Sequence, residues 1–205
     1  MKIFIATANK HKKAELLKIL PTQNNKGEKF EYFTFLDFPS LLQPEETALT
    51  LKENAIIKAK SGLTQTGLAT LADDTGLMVD ALNGAPGVFS ARYAFKDRAD
   101  YEANNIKLLR ELEGLPKEKR TARFKTICAL ALPNGEIIIK EGAVEGYITQ
   151  DYFGSQGFGY DPIFEIKELG KTMAALTTEE KNKISHRGQA FRKLAQQLAA
   201  TIPNK

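Results

Sequence analysis

The pattern of apolar and polar positions along the chain predicts a mixed α/β fold. Apolar or alternating runs predict strands over 2–7, 29–36, 68–72, 121–132, 136–140 and 143–149. Helical spacing of apolar residues predicts helices over 10–20, from 51 to about 63, over 97–112 and from 178 to about 200. Because strands and helices do not alternate strictly, the pattern favours a mixed sheet over a purely parallel one.

Capping and turn residues define the ends of several of these elements. Thr50 with Glu53, and Thr177 with Glu180, have the spacing of capping boxes at helix N-termini. The segment Pro133-Asn134-Gly135 lies between two predicted strands and indicates a hairpin turn.

Composition narrows the class of protein. The 205 residues are 42% hydrophobic and 26% charged, which predicts one globular domain over residues 1–205. The single cysteine, Cys128, excludes an internal disulfide and a Cys/His zinc cluster, and its apolar surroundings predict a buried thiol. The N-terminal apolar run lacks the length and cleavage site of a signal peptide, so we expect a cytoplasmic protein. A net charge of +4 suits an anionic ligand.

Acidic residues are concentrated around one predicted strand end. Asp73 and Asp74 follow the apolar run 68–72, and Glu45, Glu46 and Glu53 precede it. Carboxylates at a strand end suit Mg²⁺, which binds one or two of them together with substrate phosphates. The alternative interpretation is a plain turn at Asp73-Asp74.

Two sets of residues could hold an anion near those carboxylates. Thr7, Asn9 and Lys12 lie where a predicted strand passes into a helix, and helix N-termini attract phosphate. The alternative is an ordinary capped helix with solvated lysines. Lys58 becomes relevant only if its helix packs against the Asp73-Asp74 segment; otherwise it is a solvated helical lysine.

Two further segments could bind a base. Phe158–Pro162 combines glycine, aromatic and acidic residues, so its backbone can approach a ligand while an aromatic ring stacks on it. His186 and Arg187, with Lys181 before them, lie beside Gly188, which is expected to interrupt the last helix. A tight turn and a charged helix surface are the respective alternatives.

Several common catalytic motifs are missing from the sequence. It contains no G-x-x-x-x-G-K-[ST] loop, no G-x-G-x-x-G at a helix start and no G-x-S-x-G elbow. Without an evident nucleophile for covalent catalysis, metal-assisted hydrolysis is the favoured chemistry.

Taken in order, these segments resemble the inosine/xanthosine triphosphate pyrophosphatase family, over residues 3 to about 195. The matching motifs are Thr7-x-Asn9-x-x-Lys12, Glu53-Asn54-Ala55-x-x-Lys58-Ala59, Ala72-Asp73-Asp74-Thr75-Gly76-Leu77, Gly84-Ala85-Pro86-Gly87-x-x-Ser90-Ala91-Arg92-Tyr93, Phe158-Gly159-Tyr160-Asp161-Pro162 and Lys181-x-x-x-Ser185-His186-Arg187-Gly188. The chain departs from many relatives at Ala8, where they carry glycine.

The resemblance implies an elongated α/β fold with two lobes, a long twisted mixed sheet flanked by helices, and an active site in the cleft between the lobes. It also implies a homodimer that uses Mg²⁺ and binds neither nucleic acid nor membrane. The implied reaction converts ITP, dITP or XTP and water into the nucleoside monophosphate and pyrophosphate, which cleanses the nucleotide pool.

The resemblance also assigns roles at the phosphate end of the substrate. Asp74 would bind Mg²⁺ and activate water, with Asp73 in support. Glu46 would be the second metal carboxylate, and the neighbouring Glu45 stays open as its substitute. The triphosphate would be held by Thr7, Asn9 and Lys12, with Lys58 beside them as a further catalytic residue.

At the base end, the resemblance implies that Phe158 stacks on the purine and that Thr75 contacts the substrate. The remaining implied substrate-binding residues are Gly159, Tyr160, Asp161, Lys181, His186 and Arg187. Two other functions compete with this interpretation: a nucleic-acid-binding module, suggested by the net positive charge and the aromatic residues, and a pyrophosphatase specific for modified pyrimidine nucleotides.

Overall fold

The computed structural model describes residues 1–200, which form five α-helices and eight strands. The strands are β1 (Lys2–Ile5), β2 (Glu31–Thr34), β3 (Ala69–Val79), β4 (Pro86–Gly87), β5 (Thr121–Ala131), β6 (Ile137–Ile148), β7 (Phe164–Ile166) and β8 (Lys171–Thr172). The helices are α1 (Lys10–Leu17), α2 (Leu51–Thr66), α3 (Tyr101–Glu111), α4 (Thr178–Ile184) and α5 (His186–Ala200).

All eight strands belong to one sheet. Its order is β2-β1-β3-β5-β6-β7-β8, and β4 pairs with β3 outside this path. Strand β1 pairs in parallel with both β2 and β3, whereas β7 pairs antiparallel with β6 and β8. The sheet is therefore mixed and flanked by helices, which confirms the predicted fold class.

The described residues divide into two compact units. The first contains Met1–Asp74, Thr126–Gly142 and the described residues from Gly188 onward. Its core joins residues of β1, β3 and β5 to the buried face of α5, and consists of Ile3, Ile5, Leu16, Leu20, Phe30, Ala69, Leu71, Cys128, Leu130, Leu132, Ala190, Phe191, Leu194 and Leu198. The Cys128 side chain has no solvent exposure, as predicted.

The second unit contains Thr75–Lys125 and Ala143–Arg187. Its core lies on α3 and on parts of β3, β5, β6 and β7, and consists of Leu77, Val79, Leu108, Leu112, Ala122, Phe124, Val144, Ile148, Tyr160, Ile163, Phe164, Ile166, Met173 and Leu176.

Local capping explains where two helices begin. Thr177 and Glu180 form a complete capping box, in which each side chain accepts a hydrogen bond from the backbone of the other. At the start of α2, the Thr50 side chain accepts from the Glu53 backbone N–H, and Gly67 ends the helix in the left-handed region at φ 68°.

Two predicted strand boundaries were wrong. The Asp73–Gly76 segment is neither a turn nor the end of its strand, because β3 continues through it to Val79. Likewise, the two strands predicted over 136–140 and 143–149 are one strand, β6. Polar residues interrupt the apolar pattern in both places, but the backbone pairing continues.

Two helix boundaries also differ from the prediction. Helix α3 begins at Tyr101 rather than at Asp97, because the Asp100 side chain caps it by accepting from the Ala103 N–H. The break before α5 lies at Ser185, whose backbone is extended, and Gly188 lies within α5. None of the helices within residues 1–200 is long and apolar enough to cross a membrane.

Candidate functional site

Adjacent carboxylates on β3 are held by different lysines. The Asp73 Oδ2 atom lies 2.8 Å from Lys12 Nζ, and Asp74 Oδ1 lies 2.9 Å from Lys58 Nζ. Neighbouring side chains on a strand point to opposite faces, which accounts for the separate partners. The parallel pairing of β1 with β3 ends at Ile5 and Leu71, so these carboxylates lie just beyond the end of the neighbouring strand.

Helix α2 places the buried ammonium group of Lys58 beside Asp74. Lys58 is 8% exposed, and its ammonium contacts Glu46 Oε1 at 2.8 Å as well as Asp74. It is therefore not a solvated helical lysine. Lys12, Glu46, Lys58, Asp73 and Asp74 are called here the carboxylate–lysine cluster.

Burial and charge act in opposite directions within this cluster. Burial acts to lower the pKa of Lys58, but the carboxylates of Asp74, Glu46 and Asp73 outweigh it and raise that pKa. Burial raises the pKa of Asp74, although the nearby Lys58 opposes the change. The lysine is thus firmly charged, and Asp74 is a stronger proton acceptor than an exposed aspartate.

The oxygen atoms of this cluster fit a hard divalent cation. Within the described residues, no group of three or more His, Cys, Asp and Glu side chains could hold a metal ion. Mg²⁺ nevertheless needs only one or two protein carboxylates when phosphates and water supply its other ligands. Glu46 and Asp74 converge on a single cation, the Lys58 ammonium, so both can face one positive charge.

The start of α1 is a capped helix. Asn9 Oδ1 accepts from the backbone N–H groups of His11 and Lys12, and Thr7 Oγ1 accepts from the Asn9 N–H. Two N–H groups of the first turn are therefore satisfied by the protein itself, as the alternative of a capped helix predicts. Lys12 is not a solvated lysine, because its ammonium group contacts Asp73.

A second cluster surrounds the ring of Phe158. Lys181 Nζ lies 5.0 Å from the ring centroid, and the Arg187 guanidinium carbon lies 5.6 Å from it. Both cations are buried, at 3% exposure each. Phe158, Asp161, Lys181 and Arg187 are called here the aromatic–cation cluster. It combines an aromatic ring, on which a planar group can stack, with two hydrogen-bond donors.

The Asp161 carboxylate contacts both the lysine and the backbone of this cluster. Its Oδ2 atom accepts from Lys181 Nζ at 2.6 Å and from the Phe158 N–H at 2.8 Å. The ion pair is almost fully buried, so each charge depends on the other. This pair fixes both the lysine and the backbone beside the aromatic ring.

Gly157 leaves the space that this carboxylate occupies. It has φ 78°, and a Cβ atom added there would lie 2.1 Å from Asp161 Oδ2. Gly157→Ala should therefore destabilise the fold by about 1–3 kcal/mol and shift Asp161. Gly135→Ala is the matched control, since Gly135 has φ 89° but no neighbour within 4 Å of an added Cβ atom.

Thermal unfolding of both variants tests this expectation. The Gly135 variant reports the cost of a positive φ alone, so Gly157→Ala should melt at a distinctly lower temperature. Equal melting temperatures would mean that Asp161 tolerates the added methyl group.

Three further sequence-predicted residues contact other parts of the protein. Tyr160 belongs to the hydrophobic core, and its hydroxyl donates to the Ser90 carbonyl at 2.8 Å. His186 stacks on Phe124, with ring centroids 4.6 Å apart. Thr75 Oγ1 accepts from Arg187 Nη2 at 3.3 Å.

Gly159 and the acidic pair Glu45-Glu46 were also predicted to lie at the site. Gly159 has φ 64° and follows Phe158 directly, so it shapes the backbone at the ring. Glu46 contacts Lys58, whereas Glu45 is exposed, so Glu46 is the member of this acidic pair that belongs to the carboxylate–lysine cluster.

Two buried asparagines without a predicted role lie at these clusters. Asn54 lies one turn before Lys58 on α2, and its Nδ2 atom is 3.4 Å from Asp74 Oδ2. Asn105, on α3, donates to the Gly159 carbonyl at 3.0 Å. The four-residue spacing to Lys58 could have identified Asn54, but no local signal marks Asn105.

Comparison with known proteins places the chain in a family. Residues 3–197 match the model of the Ham1 family. A relative from Elusimicrobium minutum named dITP/XTP pyrophosphatase is 54% identical over 97% of this chain and 100% of its own length. One of the same name from Bacillus licheniformis is 46% identical over 94% of this chain and 95% of its own.

A solved structure gives the same result. The HAM1 protein from Coxiella burnetii superimposes with a TM-score of 0.86 at 40% sequence identity, over 98% of this chain and 100% of that one. The match of the family model and the identity to these relatives each extend over nearly the whole chain, and the protein therefore belongs to the Ham1 family.

Proposed function

We propose that the protein is a pyrophosphatase that hydrolyses noncanonical purine nucleoside triphosphates, namely ITP, dITP and XTP, to the monophosphate and pyrophosphate. The observation that carries the proposal is the convergence of Glu46 and Asp74 on one buried cation, Lys58. The names of the relatives, dITP/XTP pyrophosphatases, supply the substrate class. The role is the removal of these nucleotides from the pool.

The carboxylate–lysine cluster would act on the triphosphate. A nucleoside triphosphate carries about four negative charges, which repel water unless cations neutralise them. Lys12 and Lys58 would neutralise part of this charge, while Thr7 and Asn9 donate hydrogen bonds. Both lysines are already paired with carboxylates, so substrate binding would redistribute existing ion pairs.

The oxygen donors also lead us to propose Mg²⁺ as the cofactor, held by Glu46 and Asp74. The bound ion would neutralise phosphate oxygens and lower the pKa of a coordinated water. Asp74 would orient the attacking water and accept its proton. Asp73, paired with Lys12, would hold that lysine in place.

The aromatic–cation cluster would recognise the base. Phe158 would stack on the purine, and the cations Lys181 and Arg187 would face its carbonyl oxygens. A 6-keto group accepts a hydrogen bond from these donors, whereas the 6-amino group of adenine leaves them unpaired, at roughly 1–3 kcal/mol per group. Asp161 would keep Lys181 charged and oriented.

We propose one domain of two lobes over residues 1–205, of which the last five lie outside the described residues. A homodimer, a cytoplasmic location and the lack of binding to nucleic acid complete the proposal. Light scattering of the purified protein tests the dimer, and a salt-dependent shift of labelled RNA or DNA would contradict the last point.

Product identity tests the proposed reaction. With Mg²⁺ present, ITP, dITP and XTP should each give the monophosphate and pyrophosphate, while ATP, GTP and dUTP should turn over much more slowly. Anion-exchange chromatography separates these products from diphosphate and orthophosphate. Primary release of orthophosphate would refute cleavage between the α- and β-phosphates, and preferred turnover of dUTP would indicate a pyrimidine enzyme.

A further inference from the structure

One face of α3 lies against the loop that carries Phe158. Tyr101 and Asn105 are four residues apart, so they share a face of this helix. The Tyr101 and Phe158 rings have centroids 5.8 Å apart and are inclined by 45°. Asn105 Nδ2 donates to the carbonyl of Gly159, the next residue along the loop, at 3.0 Å. The helix thus contacts both the ring and the backbone beside it.

The loop needs contacts of this kind. Phe158 lies between Gly157 and Gly159, which have φ 78° and 64°. Glycine moves readily between backbone conformations, so the chain on either side of Phe158 does little to fix the ring. The Asp161 carboxylate restrains the Phe158 N–H on one side, and Asn105 restrains the Gly159 carbonyl on the other.

Stabilisation of the fold does not explain why an asparagine is buried at position 105. It is 3% exposed, and among the described residues none donates a hydrogen bond of normal geometry to its Oδ1 atom. Asn105 also contacts the Tyr152 hydroxyl. This contact lowers the pKa of Tyr152, but burial raises that pKa by a larger amount. A buried amide with an incompletely satisfied acceptor stabilises a core less than an apolar side chain of the same size.

We infer that Tyr101 and Asn105 are positioning residues that hold Phe158 in the orientation needed to stack on the purine. The inference rests on the proposed function, because it assigns these residues to base recognition in that reaction. Neither belongs to the carboxylate–lysine cluster, so they should affect how well the base binds and leave the chemical step intact.

The test is Asn105→Leu, which keeps the branched shape and the number of heavy atoms of the side chain and removes both its donor and its acceptor. The KM for ITP should rise roughly fivefold to tenfold, with kcat within about twofold of wild type. The ITP-over-ATP preference should fall with it, and titration calorimetry should detect weaker binding of IMP. The melting temperature should stay within about 4 °C of wild type or rise.

Variants of Tyr101 and Ile106 complete the design. Tyr101→Ala should reproduce the rise in KM, while Tyr101→Phe, which keeps the ring, should restore wild-type KM. Ile106→Ala changes an exposed residue of the same helix and should have no effect. If Asn105→Leu fails to fold, the two Tyr101 variants decide the matter.

Wild-type turnover of ITP tests the proposed function by itself, and the ratio of variant to wild type tests the positioning role. Wild-type KM and base preference in Asn105→Leu and Tyr101→Ala would overturn the inference. A fall in kcat at unchanged KM would overturn it as well, because it would place these residues in the chemical step.

Discussion

Asp74→Asn is expected to leave the fold intact and to reduce kcat at least about 100-fold, within the range of a lost general base. Asparagine is nearly isosteric with aspartate, and its Oδ1 atom can still accept from Lys58. It is a poor Mg²⁺ ligand and cannot take a proton from water. In the variant, the Lys58 ammonium would keep its contact with the Glu46 carboxylate.

Two matched variants separate this effect from a general loss of charge. Asp73→Asn removes the adjacent carboxylate, which pairs with Lys12, and should cost less in kcat than Asp74→Asn. Glu45→Gln removes an exposed carboxylate next to Glu46 and should have no effect. Steady-state kinetics against Mg²⁺ concentration, with circular dichroism as the folding control, provide the measurement. A folded Asp74→Asn enzyme within about threefold of wild-type kcat would exclude Asp74 as the base, and Asp73 would become the candidate.

Elements with strong local signals were predictable from the sequence. The capping residues Thr50 and Thr177 act within one turn of chain, and in the structure each of their side chains caps its helix. The burial of Cys128 followed from a continuous apolar run. In each case the evidence lies within a few residues of the feature.

Features that depend on distant partners were missed. The polar residues from Asp73 to Gly76 look like a turn, but sheet pairing on either side extends β3 through them. The spacing of Lys58 could not reveal whether α2 would be buried against Asp74. Asn105 contacts a residue 54 positions away, so no local pattern could have identified it.

The largest stability effect is expected at the ion pair of Lys181 and Asp161. Lys181→Met would leave a carboxylate without its cation in a position where both side chains are 4% exposed. Removing one partner of a buried pair typically costs about 3–5 kcal/mol. At roughly 2–4 °C per kcal/mol for a chain of this size, the melting temperature should fall by about 6–20 °C.

The double variant Lys181→Met with Asp161→Asn separates stability from recognition. It removes both charges, and the asparagine Oδ1 atom can still accept from the Phe158 N–H, so most of the lost stability should return. Base recognition should not return, because the cation beside the Phe158 ring is still missing. The double variant should therefore melt near wild type while its ITP-over-ATP preference remains reduced by roughly five- to tenfold. Additive losses of melting temperature would show that the two charges are not coupled, and a recovered preference for ITP would remove Lys181 from base recognition.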